Sequence, residues 1–210
     1  MYRLPKLSRR GGRPSALALL GGVLASAFLL ASALLLAGCA TAAVSPSFDP
    51  STPCTADVRV AGAYPDLEAL VPARLEGQPS TRLDSGRNCT PTNLGTLAGH
   101  GISELRFAGG LWERSSTSGI TLAVFEADGL TAAEIGEWYE ASARVARKTQ
   151  ALDPTRPLID GRQGYRLDLL NGDVAQTVVA WPSADGRVVQ VVIAADVPKP
   201  EIEAAIAAFR

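Results

Sequence analysis

The sequence predicts an α+β fold, an antiparallel β-sheet with helices packed mainly on one face. Three observations carry that prediction. Three strand-like runs, Tyr165–Leu170, Val174–Trp181 and Arg187–Ala194, are joined by Asn171-Gly172 and Asp185-Gly186. Those pairs tolerate the positive φ angles of tight hairpin turns. Two amphipathic helical patterns stand apart from one another, and the strands between them are hairpin-linked, which favours an antiparallel sheet over a parallel one.

Taken in order, Pro65 to Pro72 reads as a short helix bracketed by prolines, with Leu67, Leu70 and Val71 on one side. Arg74 to Glu76 begins a strand. Residues 77–101 are rich in Gly, Ser, Thr, Asn and Pro and read as loop, with a turn of helix near Asn93 to Ala98. Leu105 and Phe107 alternate with Glu104 and Arg106, and Gly109-Gly110 allow a bend into Leu111-Trp112. Ile120 to Phe125 is apolar on both faces, as a central strand is.

The longest helix follows. Thr131 and Glu134 are spaced as a capping box, with Leu130 and Ile135 as its hydrophobic staple. Ile135, Trp138, Tyr139, Ser142 and Val145 recur on one face, and Arg144, Arg147 and Lys148 close the helix where its dipole favours cations. Residues 149–163 read as a loop with Asp153-Pro154 and Asp160-Gly161 turns around a short strand at Leu158-Ile159. A last helix from about Pro200 to Phe209 buries Ile202, Ala205, Ile206 and Phe209. Both long helices leave a strand through Ala-Asp and carry Glu-Ile near their start, which raises the idea of a duplicated ββα unit.

The N-terminus has a different character. Residues 1–15 carry Arg3, Lys6, Arg9, Arg10 and Arg13, and no acidic residue occurs before Asp49. From Ala16 to Leu36 there is no charge, and the run ends in Leu36-Ala37-Gly38-Cys39. A basic start, an apolar run and small residues before a cut site are the parts of a secretory signal. The four residues resemble the lipobox of bacterial lipoprotein precursors. That resemblance implies a signal peptide over 1–38, a diacylglycerol joined to the Cys39 thiol, and a membrane partner on the extracytoplasmic face. An uncleaved transmembrane helix is the competing reading, since the run approaches the ~20 residues a span needs, although Gly21-Gly22 interrupt it.

Residues 39–53 are small, polar and Pro-rich and read as a flexible tether, leaving 54–210 as one α+β domain. Removing the leader lowers Lys+Arg from 20 to 15 against 21 Asp+Glu, near −6. A dispersed negative charge argues against nucleic acid as a partner. With Cys39 claimed by lipid, Cys54 and Cys89 are an even pair in an oxidising compartment and are assigned a disulfide.

For chemistry the sequence offers little. No nucleophile elbow, phosphate loop or dinucleotide fingerprint occurs, so no catalytic residue, cofactor or metal is assigned. His100, the single histidine, sits in a Gly-flanked loop and reads as a solvent-exposed residue. Asp160, Asp168 and Asp173 are the basis of an alternative reading, an extracytoplasmic hydrolase working through carboxylates or His100. Trp112, Trp181 and His100 form the candidate binding surface, and a small apolar ligand or an envelope protein is the candidate partner. Trp138 is assigned to the core.

Overall fold

The computed structural model describes residues 48–210. The leader, Cys39 and the first part of the tether lie outside the described residues.

Eight strands form one antiparallel sheet. In chain order they are β1 (Val58–Val60), β4 (Arg82–Asn88), β5 (Leu105–Glu113), β6 (Gly119–Glu126), β7 (Thr149–Thr155), β10 (Tyr165–Asn171), β11 (Val174–Pro182) and β12 (Val189–Ala195). Across the sheet the order is β1-β4-β5-β6-β12-β11-β10-β7. Two small hairpins, β2 (Arg74–Leu75) with β3 (Gln78–Pro79) and β8 (Leu158–Ile159) with β9 (Arg162–Gln163), lie outside it. The helices are α1 (Pro65–Glu68), α2 (Pro91–Leu94), α3 (Thr96–Gly99), α4 (Ala132–Val145) and α5 (Lys199–Ala207). Among the described residues no helix is long and apolar enough to cross a membrane.

The antiparallel sheet is as expected; the placement of helices on one face is not. Ile120, Leu122 and Val124 of β6 pack into one core with Leu67 of α1 and Ile202 and Ala205 of α5. Ala123 and Phe125 of the same strand pack into a second core with Ile135 of α4. The sheet therefore has helices on both sides. The physical reason was already in the sequence, because a strand apolar on both faces needs cover on both faces.

The strand order makes two meanders, β4-β5-β6 and β10-β11-β12, meet at β6 and β12, each followed by a long helix. That layout invites the duplication idea. However, α4 and α5 lie on opposite faces of the sheet. A two-fold axis exchanging the antiparallel β6 and β12 would leave both helices on one face, so no such axis relates the halves.

Several segments read as loop are strands. β4 runs through the Gly/Ser-rich stretch and pairs with β1 and β5. Its Gly86 is required, since a Cβ there would overlap the Val58 carbonyl oxygen. β5 is continuous through Gly109-Gly110 rather than bent. β7 includes Asp153-Pro154 and pairs with β10 at the edge of the sheet, where a proline's missing N–H is tolerated. Its register shifts near Ala151, whose φ is 49°. The expected turn of helix near residue 93 is two turns, α2 and α3, hinged at Gly95.

Other features agree with the sequence. Thr131 Oγ1 accepts from the Glu134 amide at 3.2 Å and Glu134 Oε2 accepts from the Thr131 amide at 2.8 Å, so the capping box is closed. The apolar stripe of α4 ends early, with Val145 exposed. Leu70, expected beside Leu67, is also exposed. In the β10–β11 hairpin Asn171 pairs with Val174, so the turn is Gly172-Asp173, one residue later than expected. Residues 48–53, read as the end of the tether, lie on the domain. Phe48 packs edge-on against Tyr64 with ring centroids 5.4 Å apart, and the buried Arg87 donates to the Thr52 carbonyl at 2.9 Å.

Candidate functional site: an aromatic cavity between the sheet and α4

Helix α4 covers β10, β11 and β7 on its side of the sheet. The other half of that face stays open as a cavity of about 550 Å³, within the size range of small-molecule sites. Its floor is set by β-sheet register. Phe107 pairs with Phe125, and Gly109 pairs with Ala123, all on one face. Two aromatics beside two of the smallest residues make a trough. A Cβ on Gly109 would meet Ala123 Cβ at an ordinary 3.5 Å, so glycine here supplies depth rather than relief from strain.

The wall is α4. Trp138 and Tyr139 have ring centroids 5.0 Å apart and each meets Phe125 edge-on, at 6.0 Å and 6.5 Å. Such edge contacts add stability beyond simple burial and hold the rings still. Gly95 braces the far side of Trp138, its Cβ position falling 3.3 Å from the indole Cδ1.

One end is polar. Asp57 accepts from the amides of Cys89 at 2.6 Å and Thr90 at 3.0 Å, from the Thr90 hydroxyl at 2.6 Å and from Asn93 Nδ2 at 2.6 Å. It ties the residue just before β1 to the entry of α2, whose N-cap residue Thr90 makes no side-chain cap of its own. The Thr90 hydroxyl and the neighbouring donors hold the Asp57 carboxyl down at about 2, against an upward push from burial. Next along the edge strand, Arg59 donates from Nε to Asp84 at 3.0 Å and lies 5.6 Å from the Phe107 ring centre. Burial raises the Tyr139 hydroxyl above the ordinary phenol range, with Arg59 pulling it down.

Cys54 and Cys89 are joined, with Cα atoms 5.6 Å apart. The bond ties the chain before β1 to the residue whose amide Asp57 accepts.

The surface expected from Trp112, Trp181 and His100 does not form. Trp112 is 4% and Trp181 0% exposed, and both belong to the core on the α1/α5 face. Trp112 Nε1 donates to the Gln78 carbonyl at 2.9 Å, and Trp181 meets Phe209 edge-on at 5.5 Å. The Gly-Gly pair and Pro182 that hinted at exposure instead sit within continuous strands. His100 is half-exposed at the end of α3, with Nδ1 3.4 Å from Glu134 Oε1. It does not line the cavity.

The three aspartates are likewise separate. Asp160 sits in the β8–β9 turn and pairs with Arg210 at 2.5 Å. Asp168, in mid-strand, accepts from Arg166 and from Thr177 at 2.6 Å each. Burial pushes its carboxyl up, but those partners outweigh it and the net displacement is downward. Asp173 lies in the β10–β11 turn. Among the described residues no group of three or more His, Cys, Asp or Glu could hold a metal ion.

A second depression of about 590 Å³ lies where β5 begins and β6 ends, lined by Glu104, Arg106, Glu126 and Arg187. Its charges are mutually engaged, Arg106 with Glu104 at 3.0 Å and Arg187 with Glu126 at 3.8 Å. The aromatic cavity is the stronger candidate because its surface is more apolar and rigid.

Of its lining, the sequence places Trp138 and Tyr139 on the apolar face of α4 and Phe107 and Phe125 in strands, and marks none of them as a binding residue. The signal missed was the pairing of Phe107-x-Gly109 with Ala123-x-Phe125, legible only once the β5–β6 register is known. No protein-family model, curated protein or solved structure matches this chain.

Proposed function

We propose that the chain is a lipid-anchored domain on the extracytoplasmic face of a bacterial membrane that binds a small apolar ligand in the cavity beside α4. The lipobox-like Leu36-Ala37-Gly38-Cys39 supports the anchor, and the Cys54–Cys89 bond supports an oxidising compartment. The binding reading rests on one observation, the preformed trough walled by Phe107, Phe125, Trp138 and Tyr139. Rigid aromatic walls favour binding because little side-chain freedom remains to be lost when a ligand enters. Among the described residues Asp57 is the only carboxylate on the lining, and four donors engage it. Binding rather than turnover is the chemistry this arrangement favours.

Fluorine NMR on the 5-fluorotryptophan-labelled full chain tests it, because the three tryptophans occupy three different settings. Titration with methyl 2-naphthoate, a neutral apolar probe, shifts the Trp138 resonance and leaves Trp112 and Trp181 in place. A probe that moves no resonance contradicts the proposal.

A further inference from the structure

The cavity has one open polar corner. Arg59 uses only Nε, toward Asp84, and its two terminal nitrogens have no hydrogen-bond partner among the described residues. Asp84 is itself shared, lying 3.0 Å from Arg59 and 3.2 Å from Arg82, so two guanidiniums face one carboxylate. Asp57, the other nearby carboxylate, is occupied by its four donors. Tyr139 lines the same cavity as Arg59, and its hydroxyl makes no hydrogen bond among the described residues. A phenol is neutral near pH 7 and has an O–H to donate.

We propose that the ligand is a hydrophobic monocarboxylate, its apolar body against Phe107, Phe125 and Trp138 and its carboxylate between the Arg59 guanidinium and the Tyr139 hydroxyl. Charge complementarity selects the head group. A free guanidinium edge matches a carboxylate through paired N–H donors. A neutral phenol adds a donor without adding a charge. Together they turn an apolar trough into a site for an amphipathic anion, which rests on the binding reading above and narrows it.

The test is calorimetric titration of the full chain in bilayer nanodiscs, with empty nanodiscs subtracted. The probes are 2-naphthoate and its methyl ester, which share a ring system and differ in the charge. The acid binds about tenfold more tightly than the ester, Arg59→Gln removes that preference, and Tyr139→Phe reduces it. An unchanged far-ultraviolet circular dichroism spectrum of Arg59→Gln separates loss of the head contact from loss of fold. Equal affinity of acid and ester in the parent chain overturns the carboxylate proposal while leaving the apolar cavity standing. Failure of both probes overturns the binding reading as well.

Discussion

Gly136 of α4 rests directly on the ring of Tyr165 in β10, so close that a Cβ on Gly136 would overlap the ring. Tyr165 is fully buried and is fixed on every side. Its hydroxyl donates to Glu140 one turn further along α4, and Arg156 stacks 3.9 Å from its ring centre. Burial, reinforced by the Glu140 carboxylate, pushes the hydroxyl up to about 12. This contact sets the height of α4 above the sheet, and hence the position of Trp138 and Tyr139 over the cavity.

Gly136→Ala is therefore expected to destabilise. Alanine is the better helix former by about 1 kcal/mol, but overpacking a filled site costs more. The net loss is about 2 kcal/mol by urea denaturation. A neutral or stabilising result would show that α4 does not sit on Tyr165 this tightly.

The Cys54–Cys89 bond closes a loop with a sequence separation of 35. The chain-entropy estimate for that length is about 4 kcal/mol. The double variant Cys54→Ser/Cys89→Ser should lose stability of that order, and the parent chain should show neither thiol as reactive under denaturing, non-reducing conditions.

Asp57 links stability to pH. Its carboxyl is displaced from 3.8 to about 2 in the folded chain, so folding favours the ionised form. The stability this contributes is fully present above about pH 4 and is lost as pH falls through about 2. Asp57→Asn should lower the thermal midpoint at pH 7 and flatten its fall between about pH 4 and 2. Parallel melting curves for parent and variant across that range would contradict the network.

Trp181 is fully buried. Replacing it with alanine removes a large core side chain and should cost about 3–5 kcal/mol. A loss under about 1 kcal/mol would contradict a buried Trp181.

What the sequence made legible was local. The capping box of α4, the β10–β11–β12 meander and the disulfide pair each depend on residues whose spacing carries its own chemistry. What it hid depends on partners distant in the chain. Pro154 reads as a turn until its strand is known to lie at an edge. Gly109-Gly110 read as a bend until the register shows Gly109 facing Ala123 and a Cβ on Gly110 meeting the Trp112 ring at 2.9 Å. Arg59 carries no motif at all, and gains interest only from standing beside Phe107 and sharing Asp84 with Arg82.

The most direct test of the account fills the cavity. Thr121 lies half-buried on the cavity floor in β6, and Thr121→Phe keeps a strand-favouring side chain while occupying the trough. Binding of methyl 2-naphthoate, read at the Trp138 fluorine resonance, should be abolished while the thermal midpoint stays within a few degrees of the parent. Undiminished binding in a folded Thr121→Phe chain would mean that the ligand sits elsewhere, and would contradict the account.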